Sequence, residues 1–492
     1  MPGTRQRAII PFPIGSDIEL DDGYGDPDSA ARSLKPALFD CYFETSGPEI
    51  TLRKRPGLTA FADTGESSAI KGLHWWDYYS IMMVVCNTKT WKSDTSGTLT
   101  QLTGNYFDGG DKCFWSEFGT NLYGADGSKI KKLTSTTVAE MADADAPITV
   151  GQIATLDQYL LAIRNVVADQ KCYYSDVGDA DSWTGVYFSA ESKEDGIEAI
   201  GAENQRIILL GEKSCEMWYD SGASDPFARV EGGCTPSGTK LAFSFVWCGP
   251  PIDTWVWIDQ NRNLVALNSA FKTSVLSESL RKTFQKDGQS FQGGDRVGNF
   301  VQFGGHSFYI FNDLLRGETW VYDFTTKQLQ RWGDHATTTW SDYYLSWRGH
   351  ILEYSTNWGK TVVGHKSDGL LYLLDEDAYQ DDGDDIYCRF RTDFLDRGDS
   401  SATKICNSVT FRAKRAGTGT SATTLYFKYR NEGSSTWSST RSVVLSQAAD
   451  TSDFVGHVRR LGRYKTRQWE FWNYDNAPLE LLQPIEDYEI IY

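Results

Sequence analysis

The densest acidic run in the chain, LLDEDAYQDDGDD at residues 373–385, holds seven carboxylates in thirteen residues. Oxygen ligands at alternate positions leading into a glycine are what a calcium loop uses. With Gly383 at the sixth position of such a loop, the ligand places fall on Ala378, Gln380 and Asp382, and the twelfth falls on Arg389. Alanine cannot ligate, and an arginine stands where a bidentate glutamate belongs, so the standard loop fails. Two readings stay open for the run: a solvated turn, or an irregular calcium site. Its basic counterpart is RRLGRYKTRQWEF, with Arg459, Arg460, Arg463, Lys465 and Arg467. Strand alternation would put Arg463, Lys465 and Arg467 on one face, and Tyr464, Thr466 and Gln468 on the other. Such a face would meet DNA phosphate or an acidic partner surface, or it is the solvated side of an ordinary strand. These five cations are the contact residues the sequence nominates. It nominates none for catalysis, for a cofactor or for a metal.

Other possible chemistry falls away on spacing. WGKT at 358–361 has the ending of a phosphate loop, but the first glycine of that loop would be Tyr354. Strand-like segments also flank it where a helix is required. No G-x-S-x-G or H-E-x-x-H occurs, and the six histidines (His74, His306, His335, His350, His365, His457) are dispersed. YYSDVGDADSW at 173–183 is close to the aspartate-box hairpin of sialidase-type propellers. Here Asp176 directly follows Ser175, Trp183 comes too late, and the hairpin occurs once. The plainer reading is a polar loop capped by a buried tryptophan. The chain is therefore expected not to be an enzyme.

The elements that would carry these residues are β-strands. A chain of 492 residues is too long for one ordinary core, so two or three domains are expected. Seventeen Trp, 25 Tyr and 25 Phe, with 45 Gly, favour strands and many turns. The best helical pattern is short, SESLRKTFQ at 277–285. The net charge of −18 is uneven: 33 basic against 54 acidic residues up to 385, or −21, then 15 against 12, or +3. An acidic body argues against tight, sequence-independent DNA binding, which depends on neutralising phosphates. It is compatible with a wall that DNA passes without sticking. Nine cysteines without a C-x-x-C pair argue against a disulfide framework or a thiolate zinc site, and for buried thiols. MPGTRQRAIIPFPIGSD has no apolar core of signal-peptide length. The longest near-continuous apolar run, IMMVVC, is far short of the ~18 residues of a membrane span. The expectation is a soluble chain that folds in the cytosol.

From about 72 to 380 one unit recurs: an apolar strand, a polar or glycine turn, a second apolar or aromatic strand. The turns fall near Asn87, Asp126, Asn165, Glu212, Asn261, Asn312 and Ser367, about 40 to 55 residues apart. That period predicts a β-propeller with four strands per blade and about seven blades, six to eight being possible. Asp126-Gly127 and Asp368-Gly369 offer the positive φ of tight hairpins. The segment 48–62, PEITLRKRPGLTAFA, could supply the strand that closes the ring. After Asp385 the rhythm changes, and strands of ordinary sandwich length separated by Gly/Ser-rich loops predict a β-sandwich. The expected fold is all-β: an N-terminal arm at 1–47, a propeller at 48–385 and a sandwich at 386–492.

In order along the chain, LFDCYFETSGPEITLRKRPGLTAF, CYYSDVGDADSWTGVYFSAESKEDGIEAI, LLGEKSCEMWYDSGASDPFARVEGG, GETWVYDFTTKQLQRW, VVGHKSDGLLYLLDEDAYQDDGD and LGRYKTRQWEF give a composite pattern. It resembles the tail nozzle, or packaged-DNA stabilisation, proteins of short-tailed bacteriophages. That resemblance implies a virion protein of the tail, assembled in the host cytoplasm as a homo-hexameric ring. Its implied neighbours are the portal and adaptor proteins above and tail fibres or spikes outside. Double-stranded DNA would pass through the channel that the ring holds closed until ejection. It implies no catalytic residue, cofactor or metal. A glycan-binding or glycan-cleaving propeller is the alternative function, and a cellular scaffold propeller a more distant one.

Overall fold

The computed structural model describes residues 5–13, 37–46, 49–104, 107, 112–190, 192–268, 270–278, 280–281, 296–334, 345–416, 422–432, 434, 436–447 and 453–491. Six sheets stand apart as propeller blades. Five are four-stranded meanders at 70–101, 114–140, 150–189, 197–235 and 246–277. The sixth, built on 349–375, is widened to six strands by Gly57–Asp63, Gln380–Asp381 and Asp384–Asp385. A further four-stranded meander at 296–334 has the same order, but Arg331 on its last strand bridges Phe39 and so joins the C-terminal sheets. The count of seven read from the turns includes this merged meander.

Small residues bring neighbouring blades together. A Cβ on Gly364 would lie 2.6 Å from Cβ of Ile70, joining the 349–375 blade to the 70–101 blade. Ser116 Oγ lies 2.6 Å from Thr155 Oγ1, and Gln152 Oε1 accepts from the Ile200 amide at 3.0 Å. Asn299 Nδ2 donates to the His350 carbonyl at 2.9 Å. Gly57–Asp63 pairs antiparallel with Leu370–Asp375, so an N-terminal strand closes the ring. Closure matters because each blade buries its apolar faces only against its neighbours.

The two Asp-Gly turns differ in how they use glycine. Gly127 has φ 95°, as a tight turn requires. At Gly369 a Cβ would collide with Thr64 Oγ1 and lie 2.6 Å from the Glu66 carbonyl oxygen. There glycine serves close chain approach. The helical pattern at 277–285 falls mostly outside the described residues, as does His335; Ser277 itself ends the strand Thr273–Ser277.

Two C-terminal sheets pack face to face. One runs Arg5–Ile9, Ile485–Ile491, Thr403–Ala416 and Phe454–Tyr464, with Leu479–Leu482, Glu49–Lys54 and Cys41–Ser46 on a second branch. The other runs Arg441–Gln447, Thr423–Asn431, Arg467–Asn473, Cys388–Arg391 and Ala37–Phe39. Arg441–Gln447 also pairs with Phe454–Tyr464, which closes the sandwich into a barrel. The hairpin Cys41–Ser46/Glu49–Lys54 belongs to these sheets, so a boundary at 48 falls inside it and the ring takes up the chain at Gly57. One core cluster joins Phe390, Phe411, Phe427 and Phe471 of the sandwich to Tyr309, Phe311, Trp320 and Tyr322 of the merged meander. Eight cysteines are buried and Cys234 is exposed, with no disulfide.

Candidate functional site

The five nominated cations lie where Phe454–Tyr464 turns into Arg467–Asn473. Thr403–Ala416 pairs with the first of these strands, and its register slips between Cys406 and Ser408, which face Gly462 and Arg459. An extra residue on the Arg459 side makes a bulge, with Arg460 at φ 62° and Gly462 at φ 77°. The bulge breaks the period of two. Arg459, Arg460 and Arg463 are all exposed, while Leu461 and Tyr464 point into the core. Lys465 is exposed in the hairpin turn.

Arg467 departs from expectation. A common face for Arg463, Lys465 and Arg467 requires an unbroken strand, but Lys465 and Thr466 form the turn. Arg467 therefore starts the returning strand in the opposite sheet and is 1% exposed. Its guanidinium lies 4.1 Å from the Tyr429 ring centre and 4.3 Å from that of Tyr464, and Nε donates to Asn431 Oδ1 at 2.9 Å. The structure thus places four of the five cations together at the surface and one in the core.

The acidic run is not a solvated turn throughout. Asp382 (φ 53°) and Gly383 (φ 93°) make a tight hairpin between Gln380–Asp381 and Asp384–Asp385. This hairpin carries Asp381, 2% exposed, onto Arg55, which is fully buried. Arg55 Nη1 and Nη2 donate to the two Asp381 oxygens at 2.9 and 2.6 Å, and Nε donates to Asp40 Oδ1 at 2.7 Å. The Gly333 amide donates to the same Asp40 oxygen at 3.0 Å. The guanidinium also lies 5.6 and 5.8 Å from the ring centres of Trp332 and Trp347. Burial raises the Asp40 carboxyl to about 6, although Arg55 pulls it down. Beside this clamp Arg348 Nη2 reaches Asp334 at 2.6 Å and Asp384 at 2.5 Å. Four separate stretches of chain meet here, where the ring meets the C-terminal sheets. Sequence reading missed Arg55, because a single arginine before Pro-Gly carries no sign of a partner 326 residues away.

A second buried charge cluster supports the sandwich. Glu470 is fully buried among Arg389, Arg391 and Lys428, at 3.4, 2.6 and 3.0 Å. Burial alone would raise its carboxyl, but the three cations hold it far below the ordinary range.

The remaining features offer structure more than reactivity. Trp183 is 2% exposed, and its Nε1 donates to the Ala180 carbonyl at 3.0 Å, capping the polar loop. WGKT spans the hairpin between Gly349–Ser355 and Lys360–His365. A cavity beside the blades at 114–140, 150–189 and 197–235 is lined by Lys112, Arg164, Glu198, Glu212, Lys240 and Phe243 among others. Three of its charges are paired: Lys240 with Glu212 at 3.3 Å, and Arg164 with Asp169 at 2.6 Å. Among the described residues no group of three or more His, Cys, Asp or Glu could hold a metal ion. No helix among them is long and apolar enough to cross a membrane.

No curated protein matches the chain. Among solved structures, the extracellular domain of a hybrid two-component system of B. thetaiotaomicron is similar at TM-score 0.43 and 10% identity, over 65% of this chain and 39% of that one. A one-component-system extracellular domain from the same organism gives 0.44 and 10%, over 81% and 47%. BamB from Moraxella catarrhalis gives 0.36 and 11%, over 69% and 95%. The chain spans less than half the length of the first two. The family model described as Phage_stabilise, bacteriophage P22 Gp10, β-propeller, matches residues 38–379, from the strand that carries Phe39 to the start of the acidic hairpin. The chain belongs to this family of bacteriophage structural β-propeller proteins.

Proposed function

We propose that the chain forms a hexameric nozzle at the end of a short bacteriophage tail. In this reading the ring closes the DNA exit channel, retains the packaged genome and guides its ejection. Portal and adaptor proteins hold it from above, and fibres or spikes attach outside. It is assembled in the host cytoplasm, and it binds and positions without catalysing.

The observation that carries the reading is the family match over 38–379. Charge supports it. Residues 57–385 hold 26 basic and 45 acidic residues, a net of −19. Walls of that sign repel a polyanion and let it slide, where a basic channel would bind it in a salt-dependent way. Imaging of purified tails tests the proposal: six copies of the chain around an axial channel are expected at the distal end. Particles that lack the chain, or carry it as isolated monomers, sink it.

A further inference from the structure

The solvent face of the sheet that begins at Arg5–Ile9 has an unusual charge arrangement. Its registers place Arg5, Glu489, Ile405 and Arg463 in one cross-strand row. Arg7, Asp487, Ser408 and Arg459 form the next row. Cross-strand neighbours of this kind share a face. Asp487 is taken by Arg5, with Nη2 to Oδ2 at 2.5 Å. Among the described residues Arg7, Arg459, Arg460, Arg463 and Lys465 make no side-chain ion pair, whereas Arg5 does. Four of them lie within seven residues of one bulged strand and its turn. A groove lined by Arg7, Ser408, Thr410, His457 and Arg459 runs across the rows.

The bulge that presents these cations has an energetic cost. A non-glycine residue in the left-handed region gives up about 1 kcal/mol, and Arg460 occupies it at φ 62°. Without the bulge, Arg459 and Arg460 would fall on opposite faces, and one of them would point into the sandwich core.

We propose that this face docks on the acidic propeller of a second copy of the chain, basic sheet to acidic blade, head to tail. The inference deepens the nozzle reading and rests on it. Two different surfaces meet, so the contact is heterologous, and a heterologous contact whose rotation returns to its start closes a ring. The complementary charge is present in the same polypeptide: net −19 over residues 57–385 against a face where Arg7, Arg459, Arg460, Arg463 and Lys465 outnumber Asp487 and Glu489. The carboxylates interleaved in the rows favour a protein partner over DNA. Asp487 and Glu489 would stand against phosphates in every row, whereas a protein surface can match both signs.

The test uses the full-length chain and tails purified from particles. Arg459→Glu with Arg463→Glu reverses two exposed cations and should leave the melting temperature within about 2 °C of wild type. Sedimentation at low salt should show self-association weakened by roughly tenfold or more, and wild-type association should itself fall as salt rises. In mixed assemblies of isotopically light and heavy chains, a zero-length carbodiimide should couple Lys465 to Asp or Glu residues of 57–385 on another copy. Rings that form equally well with the double variant overturn the docking contact and leave the nozzle reading standing. Lys465 couplings confined to its own chain or to a different protein do the same. If wild type forms no ring in solution or in tails, both fall. Binding of a labelled duplex oligonucleotide that the double variant abolishes, with rings intact, assigns the face to DNA and overturns the inference.

Discussion

Arg55 and Glu470 are buried charges whose worth depends on their partners. Arg55 is fully buried between Asp40 and Asp381, and removing one side of such an arrangement leaves an uncompensated charge, at about 3–5 kcal/mol. Arg55→Met is therefore expected to lower the denaturant midpoint clearly. Adding Asp40→Asn and Asp381→Asn should recover much of the loss, because the orphaned carboxylates go with it. A triple variant no better than the single one would show that the guanidinium acts through its stacking on Trp332 and Trp347. Glu470 sets a pH dependence. Its folded value lies far below the ordinary 4.5, so the folded state holds its proton less readily than the unfolded chain. The stability it provides is complete above about 4.5 and is lost as pH falls through the depressed value. Burial acts the other way on Asp40 and Asp313, each raised from 3.8 to about 6, so their contribution is present below 3.8 and lost as pH rises toward 6. Glu470→Gln should flatten the stability–pH curve from about 5.5 downward and leave the slope between about 5.5 and 6, where Asp40 and Asp313 act, unchanged. An unchanged acid side would count against the cluster as its source.

At the level of elements, the stretch RKRPGL shows how much a short motif encodes without revealing it. Gly57 follows Arg55 and Pro56, and a Cβ there would sit on the Gln380 carbonyl oxygen and 2.9 Å from that of Ala378. Both obstacles are backbone, so Gly57→Ala must displace the acidic hairpin and its Asp381. The expected cost is roughly 1–3 kcal/mol, and proteolysis within 376–385 should become faster. A variant as stable and as resistant as wild type would refute the close approach. The bulge gives a prediction of opposite sign. Arg460→Gly removes left-handed strain and should stabilise the monomer by up to about 1 kcal/mol in denaturant unfolding. A destabilised monomer would mean that the arginine stem packs for stability. These two sites also mark the limits of sequence reading. Alternation assumed one unbroken strand through Tyr464, Thr466 and Gln468, and it failed because nothing in YKTR announces the two-residue turn at Lys465 and Thr466, after which Arg467 and Gln468 are both buried. The unpaired register at Asn407 that creates the bulge is a property of two strands, and one strand alone cannot display it.

Across the whole molecule, the ring was legible because its signal is local. Apolar runs broken by polar turns recur every 40 to 55 residues, and the closing strand is visible as TLRKRPGLTAF. What could not be read is pairing between chain ends. Arg5–Ile9 adds to Ile485–Ile491, and Glu49–Lys54 adds to Leu479–Leu482, so the N-terminal arm is part of the C-terminal barrel. The pleat shows which face of a strand is apolar, and the sequence holds no marker for a neighbour more than 400 residues distant. The same long-range pairing decides how the protein should unfold. In the merged meander His306–Asp313, Glu318–Asp323 and all but the last residue of Gln328–Asp334 are buried, which is unlike an ordinary outer blade. Tyr309, Phe311, Trp320 and Tyr322 sit in one cluster with the phenylalanines of the sandwich, Arg331 bridges Phe39, and Arg55 ties Asp40 to Asp381. A large apolar interface of this kind couples units that would otherwise melt independently. Calorimetry on the monomer should therefore show one transition spanning propeller and barrel. Fragments 1–385 and 386–492 made together should co-purify and melt as one body, while 1–385 alone, with that apolar surface exposed, should aggregate. Two resolved transitions, or a soluble and cooperatively folded 1–385, would show that ring and barrel are separate domains that merely touch.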